Sequence, residues 1–349
     1  MKKIILTSVA VAVLSACASN KDQQQESANS ESQLTPYTQS LIANLDPNKL
    51  PGENFDMTNW KINLPILTTE GPRKGKTVEI PKTELSSFED PKYFYTDKET
   101  GALVFMSPNT APTTPNSKNA RSELRAMLAE DYGEPANNFV VSSHPNAQDY
   151  GAIGGRLAAT LSVDWVSTSG NYDKNGAFAT VIGQIHGSDN EPLKIIYRKL
   201  PEHEHGSLSW NYELNPPKEL QKTKLRKDIK HDVFGKNNLR KGSEDPADGI
   251  KLGEVFSYEV DVVGDMMNLT FTKNPGEVNE EIKTYAVNLA AGKYEGHEVD
   301  LGYGSDWMYF KAGAYNQCNT KPTSSACEYR GEGSEDYTQS SFYQLELIQ

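Results

Sequence analysis

Residues 121–125 read Arg-Ser-Glu-Leu-Arg. Two guanidinium groups and a carboxylate at spacing two can grip an anion in a fixed orientation, provided all three leave one face. A strand meets that condition, because its side chains alternate. Two other stretches share the period. In 178–186, Phe178, Thr180, Ile182, Gln184 and His186 take one face, and Ala179, Val181, Gly183 and Ile185 the other. In 309–317, Tyr309, Lys311, Gly313, Tyr315 and Gln317 oppose Phe310, Ala312 and Ala314. If these are neighbouring strands, one sheet face gathers Arg121, Glu123, Arg125, Gln184, His186, Lys311 and Tyr315. Such a face binds anions and offers His186 and Tyr315 for proton transfer. Glu123 is expected to pair with the two arginines and hold their planar forks. Gly313 is expected to leave room for a ligand between Lys311 and Tyr315. Taken singly the pieces are weaker: residues 121–128 also fit an amphipathic helix, and Gln-Ile-His alone is more often structural.

The elements that must position these groups read as strands. Ten β-rich or alternating runs are separated by Gly, Pro, Asn and Asp: 77–80, 101–107, 155–163, 176–186, 193–199, 207–214, 255–264, 267–272, 308–317 and 341–348. This spacing predicts an all-β jelly-roll or sandwich of two antiparallel sheets. Leu34, Tyr37, Leu41 and Leu45 predict a short helix before it. Residues 215–250, rich in Lys, Asn, Pro and Gly, are expected to form a long loop, either a lid over a cleft or a surface insertion. There is no internal repeat.

The first residues are different. Lys2 and Lys3 precede an apolar run of about 13 residues, short of the ~18 that span a bilayer, so residues 1–16 read as a secretory signal. Leu14-Ser15-Ala16-Cys17 resembles the bacterial lipobox, which implies an acylated Cys17. Residues 17–33 are polar and read as a flexible tether, leaving 34–349 as the catalytic domain. Export to a lipid anchor in the outer membrane, on either face, is the expectation, with free secretion as the alternative. Cys318 and Cys327 are the other two of three cysteines; in an exported chain they read as one disulfide, worth about 2–3 kcal/mol for so short a loop. The formal charge is −12, and losing Lys2 and Lys3 with the signal makes it more negative. This argues against nucleic acid as a partner. A polyanion can bind only if the cations are gathered in one cleft.

Arg121-Ser-Glu-Leu-Arg125, Gln184-Ile-His186 and Tyr309-Phe-Lys-Ala-Gly-Ala-Tyr-Asn-Gln317, in this order, closely resemble the three signature blocks of polysaccharide lyase family 7, the alginate lyases. The nine-residue third block carries most of the weight. The resemblance implies a jelly roll with a concave cleft, and β-elimination on 1,4-linked mannuronate and guluronate. A base takes the C5 proton beside the carboxylate, the O4 bond breaks, and a C4=C5 double bond forms at the new chain end. The carboxylate must be neutralised for that proton to leave. By the resemblance, Arg121 and Gln184 do this, Tyr315 donates to O4, and His186 acts as base on guluronate or assists in the neutralisation; on mannuronate Tyr315 serves as both base and acid. Glu123, Arg125, Lys311, Asn316 and Gln317 are implied as substrate-side groups. The resemblance implies no metal and no organic cofactor. Alginate is the expected partner, the chain a monomer and the action endolytic. Ile185 in place of valine leans toward guluronate-containing blocks.

Three other signals are weighed and set aside. Glu202-His203-Glu204-His205 lacks further ligands at zinc-like spacing. Asp173-Lys174-Asn175-Gly176 begins like a calcium loop but lacks its closing Glu. Asn268-Leu269-Thr270 fits a glycosylation sequon, which counts for little in a bacterial-looking lipoprotein. Two rival functions remain. A glycoside hydrolase needs paired carboxylates, and Glu259-Val260-Asp261 begins such a strand without the second Glu. A non-catalytic sugar-binding module needs the basic groove but not Tyr315 with His186.

Overall fold

Alternation along each segment buries one side and exposes the other, and two such sheets close on each other. A computed structural model describes residues 34–129, 135–292, 301–320, 326–327 and 336–349. The first sheet runs, edge to edge, Asp228–Phe234, His205–Glu213, Leu193–Arg198, Ala179–His186, Tyr309–Asn316, Arg121–Ala126, Trp60–Leu67 and Thr77–Ile80, with Ile250–Lys251 also pairing to His205–Glu213. The second runs Glu281–Asn288, Met266–Lys273, Val255–Val263, Gly155–Trp165, Tyr337–Ile348, Leu103–Pro108 and Phe94–Thr96. Pairing in both is antiparallel throughout. The result is a jelly roll. Ile62, Leu124, Ile185, Ile195, Phe310 and Ala312 of the first sheet share one core with Phe105, Leu161, Phe256, Tyr258 and Phe342 of the second. The described residues fall in one compact unit, Leu34–Gln349.

Two of the places where strict register fails lie beside the site. Gly183 pairs with Ile195, but Val181, not Ile182, pairs with Ile196. Ile182 is the extra residue of a bulge. It is fully buried in the core, whereas alternation assigns it to the face of Gln184. Val181 instead lines the outer face with Lys194 and Ile196. The second sheet steadies the distortion: Tyr258 donates its hydroxyl to the Ile182 carbonyl at 3.2 Å. The Tyr309–Asn316 strand slips against Ala179–His186 between Ala312 and Tyr315, and Gly313 adopts φ +141°.

Residues 215–250 are not a continuous loop. They contain the Lys218–Leu220 turn and the edge strand Asp228–Phe234. The predicted N-terminal helix is Pro36–Ile42, with Pro36 in its first turn and the Thr35 hydroxyl accepting from the Thr38 N–H at 3.1 Å; both are expected of a helix start. Cys318 and Cys327 are disulfide-bonded. The signal, Cys17 and the tether lie outside the described residues.

Candidate active site

The three polar segments are adjacent strands in the order Ala179–His186, Tyr309–Asn316, Arg121–Ala126. Register makes neighbours of Tyr309 and His186, Lys311 and Gln184, Lys311 and Arg125, Gly313 and Glu123, and Tyr315 and Arg121. The same line continues outward through Lys194, Asn211 and Lys230 on one side and Lys61 on the other. Seven rungs about 4.8 Å apart form a row roughly 29 Å long. A chain that is acidic overall thus concentrates cations on one sheet face.

Glu123 is the hub. It is 2% exposed and receives Lys311, Gln184 and Arg121, the last at 2.9 Å. Burial alone would raise its pKa, but the Lys311 and Arg121 charges more than offset this and hold the carboxyl below its ordinary range. Burial, with help from the Arg121 charge, pushes the Lys311 ammonium down to about 8. The expected pairing of Glu123 with both arginines holds for Arg121 only. Arg125 turns the other way, donates to Asn138 Oδ1 at 2.9 Å, and lies 4.0 Å over the Tyr309 ring.

Because Glu123 is ionised, Gln184 must turn its NH₂ toward it. Gln184 Oε1 is then left buried without a hydrogen-bond partner among the described residues, and so is Arg121 Nε. Buried polar groups are rarely left unpaired. The Arg121 Nε donor suits a carboxylate of a ligand, and Gln184 Oε1 can accept from a hydroxyl or from a carboxyl that carries a proton.

Tyr315 and His186 are groups on this face able to exchange a proton. Ser117 Oγ lies 2.9 Å from the Tyr315 hydroxyl and accepts from Arg121 at 3.0 Å. Ser117 Oγ can also donate to the Asn119 carbonyl at 2.9 Å and accepts from the Asn119 N–H at 3.1 Å, so in its contact with Tyr315 either hydroxyl can be the donor. The Arg121 guanidinium stacks 3.8 Å over the Tyr315 ring. His186 Nδ1 lies 2.5 Å from the Gly187 carbonyl; a carbonyl only accepts, so Nδ1 carries the hydrogen and Nε2 keeps its lone pair. The ring stacks on Tyr309 at 5.1 Å. Burial, with the Lys311 charge next, lowers its pKa to about 4, so it is neutral at pH 7 and able to accept a proton.

The other sequence candidates fall in two groups. Gln317 lines a cavity of about 180 Å³ with Val181, Lys194 and Lys230, next along the groove. Asn316 is 1% exposed and faces away; it donates to the Ser107 carbonyl and Asn109 Oδ1. Gly313 has a different task from the one expected. A Cβ there would meet the Ser122 carbonyl, the Glu123 Cα and the core ring of Phe105, so the residue permits close strand packing rather than ligand access. Sequence reasoning missed Ser117, Glu191 and Lys194. Ser117 sits in a polar loop with no periodicity, whereas Lys194 was findable as the polar member of an alternating run.

The rival signals go elsewhere. Glu259 binds Arg156 at 2.5 Å and sits on the second sheet. His203 bonds to the Ser243 carbonyl, and His205 pairs with Asp245 at 2.6 Å.

Comparison with known proteins agrees with this geometry. Residues 55–349 match the family model described as alginate lyase. An alginate lyase of Klebsiella pneumoniae is 32% identical over 305 residues, covering 84% of this chain and 90% of that protein. The crystal structure of the alginate lyase from Klebsiella pneumoniae superposes with TM-score 0.67 at 30% identity, over 86% of this chain and 98% of that one. The exolytic family 7 alginate lyase of Zobellia galactanivorans gives 0.68 at 29% identity, over 85% and 97%. The chain belongs to the alginate lyase family.

Proposed function

We propose that the protein cleaves alginate by β-elimination, within the polymer, with a preference for guluronate-containing blocks. One observation carries the chemistry: the Tyr315 hydroxyl and a His186 Nε2 that keeps its lone pair share a face with the unpartnered Arg121 Nε and Gln184 Oε1. The uronate carboxyl sits against Arg121 and Gln184, where nearby positive charge stabilises the electron density that builds on it. His186 Nε2 takes the C5 proton of guluronate. The C5–H electrons form the C4=C5 bond, the C4–O4 bond breaks, and Tyr315 protonates O4. Water then returns the proton from His186 to Tyr315. On mannuronate Tyr315 takes both roles.

The row of rungs extends past the site on both sides, through Lys61 and through Lys194 and Lys230, which supports cleavage within a chain over cleavage at its end. The lean to guluronate rests on Gln-Ile-His alone; Ile185 is buried in the core, on the face away from Gln184 and His186. Lipid anchoring at Cys17 completes the reading, and loss of palmitate labelling in Cys17→Ser tests it.

The experiment is absorbance at the wavelength of the conjugated double bond, with polyguluronate, polymannuronate and mixed alginate offered separately. Rising absorbance establishes elimination, and the relative rates give block preference. Rapid loss of viscosity marks internal cleavage. New reducing ends without absorbance would mean hydrolysis, and binding without either would leave a sugar-binding module.

A further inference from the structure

His186 does not act alone. Its Nε2 lies 3.4 Å from Glu191 Oε1, and Glu191 Oε2 lies 3.4 Å from Lys194 Nζ. Lys194 also contacts Glu213 at 3.6 Å and Asp228 at 3.3 Å. Glu191 is tied to the next strand as well: its N–H donates to Glu213 Oε2 at 3.2 Å, and its carbonyl accepts from the Glu213 N–H. A carboxylate so placed faces the nitrogen of His186 that the Gly187 carbonyl leaves without a proton. In the resting enzyme a lone pair and an anion face each other. The contact becomes favourable only when Nε2 gains a proton.

We propose that Glu191, held by Lys194, is a positioning residue for His186: its carboxylate receives the Nε2–H of the imidazolium formed when His186 takes the substrate proton. This rests on the proposed role of His186 as base. The step balances, since the C5 proton moves to Nε2, the C5–H pair forms the double bond, and Tyr315 supplies the proton of the departing O4. The arrangement answers a difficulty of the site. The charged groups around the ring are Lys311 from the Tyr309–Asn316 strand, Arg121 and Glu123 from the Arg121–Ala126 strand, and Glu191 at the turn beyond its own strand, paired with Lys194 of the Leu193–Arg198 strand; Tyr309 stacks on it. Lys311 and Arg121 oppose an imidazolium, and Glu123 is committed to those two cations. Among the described residues, Glu191 is the acid within ion-pair distance of Nε2. A stabilised charge builds during proton transfer, so the effect falls on kcat more than on binding.

The test is Glu191→Gln, with Glu191→Asp as the conservative variant. Expected for Gln is a loss of about 10-fold in kcat on polyguluronate, a part of the 10²–10⁴ that general base catalysis supplies. KM and the rate on polymannuronate stay within twofold, since Tyr315 is the base there. The imidazole of His186, followed by ¹⁵N NMR in the whole protein, titrates at lower pH in Gln and close to wild type in Asp. Equal losses on both polymers, or an unmoved His186 titration, would overturn the proposal. His186→Asn separates the underlying reading: if that variant cleaves polyguluronate normally, it is the base assignment that fails, whatever Glu191 does.

Discussion

Gly313 lies directly across from Glu123 in the antiparallel register, so close that a Cβ on the glycine would stand 2.9 Å from the Glu123 Cα. Its φ of +141° lies where L-residues with a Cβ are strained. The slip around Gly313 carries Tyr315 into line with Arg121 on one side and Val181 on the other. Gly313→Ala combines strain with backbone collision. It should destabilise by about 1–3 kcal/mol for the strained dihedral alone, visible as a lower denaturant midpoint. It should also reduce kcat by displacing Tyr315, with folded protein still present. A variant of unchanged stability and rate would mean that this conformation is not required.

Glu123 sets the charge of its neighbours. Lys311 holds its proton only up to about pH 8, and the coulombic pull of Glu123 works to raise that value. The wild-type rate should therefore fall as pH climbs past about 8 and the ammonium is lost. Glu123→Gln removes the anion, so Lys311 should lose its proton at lower pH and the alkaline limb should move down. Removing one partner of a buried pair also destabilises, by about 3–5 kcal/mol. A kcat/KM profile from pH 6 to 9.5, taken with folded fractions at each point, checks both. An unmoved limb would assign that titration to another group.

His186 predicts an acid sensitivity. In the unfolded chain an imidazole takes a proton near pH 6.5; in the fold, burial and the Lys311 charge delay this to about 4. Between those values the unfolded state binds more protons, so stability falls as pH drops from 6.5 to 4 and the penalty is absent above 6.5. The loss is on the order of 2–3 kcal/mol at the low end. His186→Asn should flatten that part of the curve. Urea midpoints at pH 7 and pH 4.5 for both proteins measure it, and parallel losses would exclude His186 as the source.

Where each residue alternates, the sequence revealed its place. Lys311, Gln184 and Arg125 could be assigned to one face because the intervening Phe310, Ala312, Ile185 and Leu124 are apolar and buried. Ile182 could not, because a bulge is a backbone event with no side-chain signature in isoleucine. The Trp60–Leu67 strand was hidden by Pro65, a residue that normally argues against an inner strand; the irregular register between Asn63 and Leu67 accommodates it. The Asp228–Phe234 and Glu281–Asn288 strands lie at sheet edges and are largely exposed, so they lack a buried stripe to betray them. Asn316 was misplaced for another reason: the signature block extends past the groove, and its polarity serves Ser107 and Asn109 on the far side.

Ser117 joins Tyr315 to Arg121. Its oxygen accepts from the Arg121 guanidinium and shares a hydrogen bond with the Tyr315 hydroxyl. Tyr315→Phe should abolish turnover and leave polymer binding largely intact, since only the proton donor is gone. Ser117→Ala keeps the donor but frees its orientation, so kcat should fall by about 10-fold with little change in KM. Initial rates and direct polymer binding for both variants separate the two effects. A Tyr315→Phe enzyme with near-normal rate would remove the tyrosine from its role.

On the proposed reading the outer rungs should act on binding rather than chemistry. Lys230 stands four strands from the Lys311 rung, in line through Asn211, Lys194 and Gln184. At about 4.8 Å per strand it lies some 19 Å from the centre of the Gln184–Lys311 chemistry when the row is followed outward. A short oligomer bound across the site does not reach it, whereas a polymer does. Lys230→Ala should therefore raise KM for polymeric alginate about threefold to tenfold, leave kcat unchanged, and leave short oligomers unaffected. The defect should shrink in high salt, because the lost contact is electrostatic and already screened there. Rates on polymer and on trimer at 0.05 and 0.5 M salt decide the matter. Equal effects on both substrates would place the chain along the strands instead of across them.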